Sequence, residues 1–387
     1  ILILWFANKS DIITKILSYK LFVGVGLISY SLYLWHYTVF SFAKNLEIFF
    51  DDGWGKLFLI AISIILSIFT YFFIEQPARK NNSFKLVFSF LLVATFIILA
   101  FNITVIIKDG FLNRLKVKNY QEKHSYMYLI QENKPCFNRV KNLCNFGSHK
   151  KKIILLGDSH MGSLAYDLYD KTKLKYSYLP LTFAGYFHLS ETKQINKKTK
   201  KNNNGYDNIR NNVNKILNKS KNNIIIIGGV YSLYFYNKRI EGRALHWDNM
   251  FVDKVSDNYD SKIIENDFIS LIKELSINNE VIILYPIPEV GVNLQKKKFE
   301  NMVRVFDYKY SDFLKQNKEV INFLDTINYP KVHKVFPHKA FCKEGEKLCT
   351  THDKDNFFFY DGYHPSIIGS KMINNLIIKK IDLLDQK

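Results

Sequence analysis

Three apolar runs of bilayer length, Leu21–Phe42, Leu57–Ile74 and Leu86–Ile107, stand before Lys108, and mixed polar sequence follows it. Each run is close to the roughly 20 residues that a helix needs to cross a hydrocarbon core. In lipid every backbone N–H and C=O must find its partner inside the segment, so runs of this kind are helices. The chain is therefore expected to fold in two parts. Residues 1–108 form a helical transmembrane segment of about three spans, and a water-soluble part follows. Helices buried in a globular core are the alternative, and the charges argue against it. Lys9, Lys15 and Lys20 precede the first run, and Arg79, Lys80 and Lys85 separate the second from the third. The loop between the first two carries Glu47, Asp51 and Asp52 against Lys44 and Lys56. The positive-inside rule puts the two basic segments in the cytoplasm, and an odd number of spans delivers the chain after Lys108 to the far side. Residues Ile1–Ala7 show neither an initiator Met nor a signal-peptide layout, so the chain is expected to begin inside a larger protein.

The formal charge of +19 suggests a polyanion at first sight. The excess is mostly Lys beside Asn and Ile, as in Lys197–Asn204, with no zinc-finger spacing and no RNP-like motif. Nucleic acid is not expected as a partner, because clustered charge alone specifies only non-specific attraction. Anionic lipid or an acidic glycan fits equally well. The four cysteines form two local couples, Cys136 with Cys144 and Cys342 with Cys349, and neither has metal-site spacing. Two disulfides are expected, which implies an oxidising compartment beyond the membrane segment; buried free thiols are the alternative.

After a polar extension over residues 109–149, short apolar runs alternate with helical patterns. Strands are expected at Lys152–Gly157, Tyr176–Pro180, Asn223–Gly229, Val281–Pro286 and Ile321–Leu324. Helices are expected at Met161–Tyr169, Tyr206–Asn218, Lys262–Ile277, Lys297–Lys315 and Ser366–Ile381. Lys193–Gly205 reads as a basic surface loop. The alternation predicts an α/β fold, a mainly parallel five-stranded sheet covered by helices on both faces.

One strand end carries chemistry. Ile153-Ile154-Leu155-Leu156 breaks into Gly157-Asp158-Ser159-His160, and a helical pattern follows. That sets a hydroxyl at the carboxyl end of a buried strand and beside a helix N-terminus, where backbone N–H groups can meet a developing oxyanion. A serine nucleophile needs a base and a group that orients the base. Asp361-Gly362-Tyr363-His364 supplies both, so Ser159, His364 and Asp361 are the candidate catalytic residues. The G-x-S-x-G elbow of ordinary α/β-hydrolases is absent.

Gly-Asp-Ser after the first strand, with Asp-x-x-His near the C-terminus, resembles the SGNH (GDSL-like) hydrolase family over about 150–387. The resemblance implies a three-layer fold, Ser159 as nucleophile, His364 as base and Asp361 as its orienter. It further implies oxyanion donors from the backbone of Ser159 and of Gly185 in Thr182-Phe183-Ala184-Gly185. The family's usual Asn after the third strand is replaced by Gly228-Gly229-Val230-Tyr231, which leaves the backbone of Gly229 as the third donor. In the membrane segment, Ile28-Ser29-Tyr30-Ser31-Leu32-Tyr33-Leu34-Trp35-His36 and Phe72-Phe73-Ile74-Glu75-Gln76-Pro77-Ala78-Arg79 resemble late-helix signatures of the acyltransferase 3 family. Together these resemble acyltransferase 3–SGNH fusions, which O-acetylate bacterial surface glycans.

That resemblance implies an O-acetyltransferase of the inner membrane, multi-pass in the bilayer, with its SGNH domain on the periplasmic side. It implies acetyl-CoA as acyl donor to the complete protein, no tightly bound cofactor, and a surface glycan acceptor such as lipopolysaccharide O-antigen or peptidoglycan. The earlier membrane helices, which carry the family's catalytic His and Arg motifs, are implied to be missing from this chain. An exported membrane-tethered esterase acting on glycans and a non-catalytic glycan-binding domain are the alternatives. His36, Glu75 and Arg79 are the membrane-segment candidates, with an interfacial position as the other reading of each. His160, His188, His246, His333, His338 and His352 are scattered singly, so no metal is expected. His160 is expected to line the cleft, and Trp247 to pack in the core or anchor a loop, with stacking on a sugar face as its other reading.

Overall fold

The computed structural model describes residues 12–46, 53–80, 84–108, 111, 128–238, 249–252, 258–291, 308–342, 347–353 and 356–386. They fall into two compact units, Ile1–Phe111 and Leu112–Lys387.

The first unit is helical: α1 (Ile12–Leu17), α2 (Lys20–Leu46), α3 (Gly53–Thr70) and α4 (Phe84–Ile107). α3 runs on through a π-helical turn at Tyr71–Glu75 into Gln76–Lys80. All three expected apolar runs are thus helical. Among the described residues, two stretches are long and apolar enough to cross a bilayer, Gly53–Lys80 and Lys85–Ile107. α2 has the length, at 27 residues, but carries Tyr30, Ser31, Tyr33, His36 and Tyr37 along its middle. Small residues bring α2 and α3 together: Gly55, Ser63 and Ser67 are buried on α3, as are Ser31 and Ala43 on α2. Close approach of small side chains is how helices associate where no hydrophobic drive distinguishes protein from lipid.

The second unit is built on five parallel strands, β3 (Lys152–Gly157), β4 (Ser177–Thr182), β6 (Ile224–Gly228), β8 (Glu280–Leu284) and β10 (Val332–Val335), in the spatial order β10-β8-β6-β3-β4. Near-continuous Ile and Leu in β3, β6 and β8 follow from burial on both faces of a parallel sheet. Helices α5 (Ser159–Thr172), α6 (Asn204–Leu217), α7 (Tyr231–Tyr236), α8 (Ser261–Asn278), α9 (Tyr310–Thr326) and α10 (Ile367–Asp385) cover it. The core accordingly splits into two layers. Phe187, Phe235, Phe268 and Phe323 lie in one, and Met161, Leu164, Phe341 and Ile377 in the other. Two-residue strands β1 (Ile130–Gln131) and β2 (Lys134–Pro135) form a hairpin ahead of the sheet. Another small pair joins β9 (Tyr308–Lys309) to β11 (Leu348–Cys349).

Two expectations need correction. Ile321–Leu324 is not a strand but the end of α9, and the fifth strand is Val332–Val335. Val320, Phe323 and Leu324 continue the buried face begun by Phe313 and Asn317. Those spacings follow the helical period, which the four-residue apolar run alone does not reveal. Residues 292–307 lie outside the described residues, so the expected helix Lys297–Lys315 is described only from Tyr308; Tyr308–Lys309 are strand β9, and the helix α9 begins at Tyr310. Nor is Lys193–Gly205 merely a loop. Its start forms β5 (Lys193–Asn196), paired antiparallel with β7 (Asn249–Val252), and Gln194 and Ile195 are buried. The basic stretch Lys198–Lys201 is exposed, as expected.

Candidate active site

β3 is the first strand of the sheet in sequence, with β4 on one side and β6 on the other. The chain therefore reverses its winding direction at β3, and a crevice opens there beyond the carboxyl ends of the strands. Register brings three ends level: Gly157 pairs with Thr182 of β4 and with Gly228 of β6. Ser159, the turn at Gly185 and the turn at Gly229 consequently leave the sheet at one edge. Gly157 makes this possible. A Cβ there would stand 2.1 Å from the Gly228 carbonyl oxygen and 2.5 Å from Met161 Cγ.

Asp158, buried at 1% exposure, locks the edge. Its Oδ1 accepts from the backbone N–H of His160 at 2.9 Å, capping α5. Its Oδ2 accepts from Val230 N–H at 2.9 Å and from the Tyr234 hydroxyl at 3.1 Å, tying α5 to the segment after β6. This carboxylate also accounts for glycine at 229, since a Cβ there would sit 3.0 Å from Asp158 Oδ2. A side chain at 229, an Asn included, would compete with Asp158 for the same space.

Ser159 opens α5, and His364 reaches it from the loop before α10. His364 Nε2 lies 2.8 Å from Ser159 Oγ, and His364 Nδ1 lies 2.8 Å from Asp361 Oδ2. Asp361 Oδ1 accepts from the backbone N–H groups of Tyr363 (3.0 Å) and His364 (2.8 Å). Ser366 caps α10 through Gly369 N–H and donates to the Phe357 carbonyl, so the loop is pinned at its exit. Burial works to raise the Asp361 pKa. The hydrogen bond and charge of His364 and the two backbone N–H groups outweigh it, and the carboxyl is held below the usual range. The His364 side chain is 15% exposed and that of Asp361 32%, so the row opens to solvent.

The structure therefore brings Ser159, His364 and Asp361 together in hydrogen-bonding order. Of the oxyanion candidates, Ser159 is the first residue of α5, while Gly185 sits at φ +62° in the turn after β4 and Gly229 at φ +155° after β6. Two disulfides, Cys136–Cys144 and Cys342–Cys349, flank these loops. Inside the first, Asn138 N–H donates to the Thr182 carbonyl, and Asn138 Oδ1 accepts from Ala184 N–H, steadying the Gly185 turn. His160 is buried rather than lining an open cleft, and its ring meets that of His364 at 5.1 Å between centroids.

The remaining histidines are dispersed. His188 is buried against Tyr186, His333 pairs with Glu280, His338 packs among Tyr310, Phe313 and Phe336, and His352 lies beside Phe357. His246 and Trp247 lie outside the described residues. Among the described residues no cluster of three His, Cys, Asp or Glu is placed to hold a metal. In the first unit Glu75 Oε2 accepts from Ser31 Oγ at 3.1 Å, Glu75 Oε1 pairs with Arg79 at 2.6 Å, and Trp35 donates to Thr70 at 2.8 Å. The Ser31 and Trp35 contacts join α2 to the π-helical turn and to the end of α3 before it. His36 is exposed on α2 beside Tyr33 and Phe40, so it does not join Glu75 and Arg79.

Asp158 and Asn138 are contributors that motif reasoning passed over. An Asp immediately before a helical pattern is a helix-cap signal, so part of the role of Asp158 was legible. Nothing in the sequence near Asn138 marks its contact with β4.

Comparison with known proteins places residues 130–379 in the family model described as "SGNH domain (fused to AT3 domains)". The chain is similar to the peptidoglycan O-acetyltransferase OatA of Listeria monocytogenes, 34% identical over 89 residues, which are 22% of this chain and 14% of the relative. It is similar to the O-acetyltransferase OatA of Staphylococcus aureus, 34% identical over 79 residues, 19% of this chain and 13% of that protein. The chain thus spans about one-seventh of the length of these relatives. Among solved structures, the periplasmic domain of a Salmonella ser. Paratyphi A lipopolysaccharide acetyltransferase superposes with a TM-score of 0.42 at 15% identity, covering 70% of this chain and 96% of that one.

Proposed function

The chain belongs to the family of SGNH domains fused to AT3 domains, and on that premise we propose that it is an O-acyltransferase, using Ser159 to hand an acyl group to a sugar hydroxyl. The observation that carries the reading is the row Ser159 Oγ–His364–Asp361, with both hydrogen bonds at 2.8 Å. His364 Nε2 takes the Ser159 proton as Oγ bonds to the acyl carbon. The oxyanion is met by the backbone N–H groups of Ser159, Gly185 and Gly229. The donor's bond to the acyl carbon then breaks, and His364 returns the proton to the leaving group. In the second half the acceptor hydroxyl gives its proton to His364 and attacks the acyl carbon, and Ser159 Oγ leaves and is reprotonated. Asp361 holds Nδ1–H throughout and stabilises the imidazolium.

In the finer reading the acyl group is acetyl, supplied by acetyl-CoA through the membrane part of the complete protein. The acceptor is a surface polysaccharide such as lipopolysaccharide O-antigen or peptidoglycan. Residues 1–108 lie in the inner membrane as the C-terminal part of an acyltransferase 3 domain, 109–149 form the extension, and 150–387 are the catalytic domain on the extracytoplasmic side. The two disulfides support that side, since they persist in oxidising compartments. His36, Glu75 and Arg79 belong to the membrane part, with the Ser31–Glu75–Arg79 contacts supporting a role for the latter two.

Solvent exposure of the row favours a second reading, in which water replaces the sugar and the domain is an esterase acting on glycans. Expression of the full-length gene beside a defined surface glycan separates the two. Mass spectrometry is expected to show acetyl gained with wild type and not with Ser159→Ala. Acetyl lost instead would make the protein an esterase, and no difference between the two would remove Ser159 from the chemistry.

A further inference from the structure

Beside the Ser159–His364–Asp361 row lies a second histidine–carboxylate couple that no step above uses. His160 Nε2 stands 3.3 Å from Glu289 Oε1, and both side chains are 2% exposed. The His160 ring meets the His364 ring edge-on, with the planes at 68°. Glu289 lies in the segment after β8, and its neighbours hold the loop of the base. The N–H groups of Val290 and Gly291 both donate to the Gly362 carbonyl, at 2.7 and 3.1 Å. One segment therefore reaches His364 twice, through the backbone of its loop and through the His160 ring.

We propose that Glu289 is a positioning residue for His364, acting through His160. It fixes the ring on which His364 packs, and its charge favours the imidazolium that His364 becomes on taking the Ser159 proton. The inference rests on the triad reading above. His160 is the second residue of α5, where the helix dipole disfavours a cation, and on this proposal the couple carries the negative charge of its carboxylate. Little water screens a charge buried behind the His160 ring. Among the described residues, the other ionisable groups around the pair are Asp361 on His364 Nδ1, Asp158 on the backbone N–H of His160, Tyr234 on Asp158, Tyr231 in the small cavity that His160 and Glu289 line, and Tyr308 facing Glu289. Of these, only Tyr308 feels Glu289 directly, and its hydroxyl is held neutral by burial first of all.

The test uses the full chain in detergent and follows the rate at which a fluorophosphonate labels it between pH 5 and 9. Glu289→Gln is close to isosteric and removes the charge. It is expected to slow labelling at pH 7 roughly three- to tenfold and to move the acid limb about half a pH unit lower. Glu289→Asp retains the charge and is expected to stay nearer wild type. An unmoved acid limb in Glu289→Gln, with or without a lower rate, overturns the proposal. Ser159→Ala separates the two levels of the argument. Labelling that survives in it sinks the triad, whereas labelling abolished in it alongside an unmoved Glu289→Gln profile sinks only the part given to Glu289.

Discussion

At Asp361, burial and hydrogen bonding pull in opposite directions, and hydrogen bonding prevails. Its folded pKa lies below the unfolded value of about 3.9. The stabilisation it gives is therefore complete above about pH 4 and lost only as pH falls through the folded value. Asp361→Asn is expected to leave the fold intact but to offer His364 Nδ1 an N–H where it now finds a carboxylate. Wrong tautomer and lost charge together are expected to lower fluorophosphonate labelling on the order of 10³-fold or more, by analogy with the serine-protease triad. A drop below tenfold would argue against Asp361 as the orienter. Ser159, Asp361 and His364 were legible because a strand–Gly-Asp-Ser–helix junction and a nearby Asp-x-x-His announce themselves by residue type. Glu289 was not, because its partner His160 lies 129 positions earlier and only the fold brings the two together.

Among the elements, the level ends of β3, β4 and β6 matter most, because they set three loops at one edge. Gly157 is the narrowest point of that arrangement. Gly157→Ala would press a methyl group to 2.1 Å from the Gly228 carbonyl oxygen, a backbone atom that moves only if β6 moves. The substitution is expected to cost about 3 kcal/mol or more, read as a lower urea midpoint with unchanged slope. Near-neutral stability would mean that β3 and β6 are not in this register. Four of the five strands were readable to within two residues, since Ile- and Leu-rich runs bounded by Gly or Asn are what a doubly covered parallel strand requires. The fifth was misplaced because Ile321–Leu324 is too short to show its period. The true edge strand, Val332-His333-Lys334-Val335, is half polar and carries little signal.

On the scale of the whole molecule, two histidines link the folded state to pH. Burial lowers the pKa of His188 to about 3, with Asn214 working against the shift and the Arg210 charge adding to it. Burial, with Lys339 nearby, lowers that of His338 to about 4. Both folded values lie below the unfolded value of about 6.5, so the unfolded chain binds protons first. Stability is expected to be complete above about pH 6.5 and to fall between there and pH 4, by up to about 1.4 kcal/mol per pH unit for each histidine. Urea unfolding of the full chain at pH 7 and pH 5 checks this, and His338→Gln should flatten the dependence. A steeper or reversed slope in that variant would contradict it. What the sequence by itself determined is whatever depends on local pattern. Hydrophobic length set an apolar helical part apart from the mixed polar part that follows, alternation of strand and helix patterns set the α/β class, and residue type with chain order singled out Ser159, His364 and Asp361. Only the tertiary structure decided that Asp158 clamps β3 to the segment after β6, that Glu289 meets His160 whose ring packs on His364, and that Glu75 meets Ser31 while His36 does not. Contacts between residues far apart in the chain are fixed by register and packing, and no local pattern encodes them.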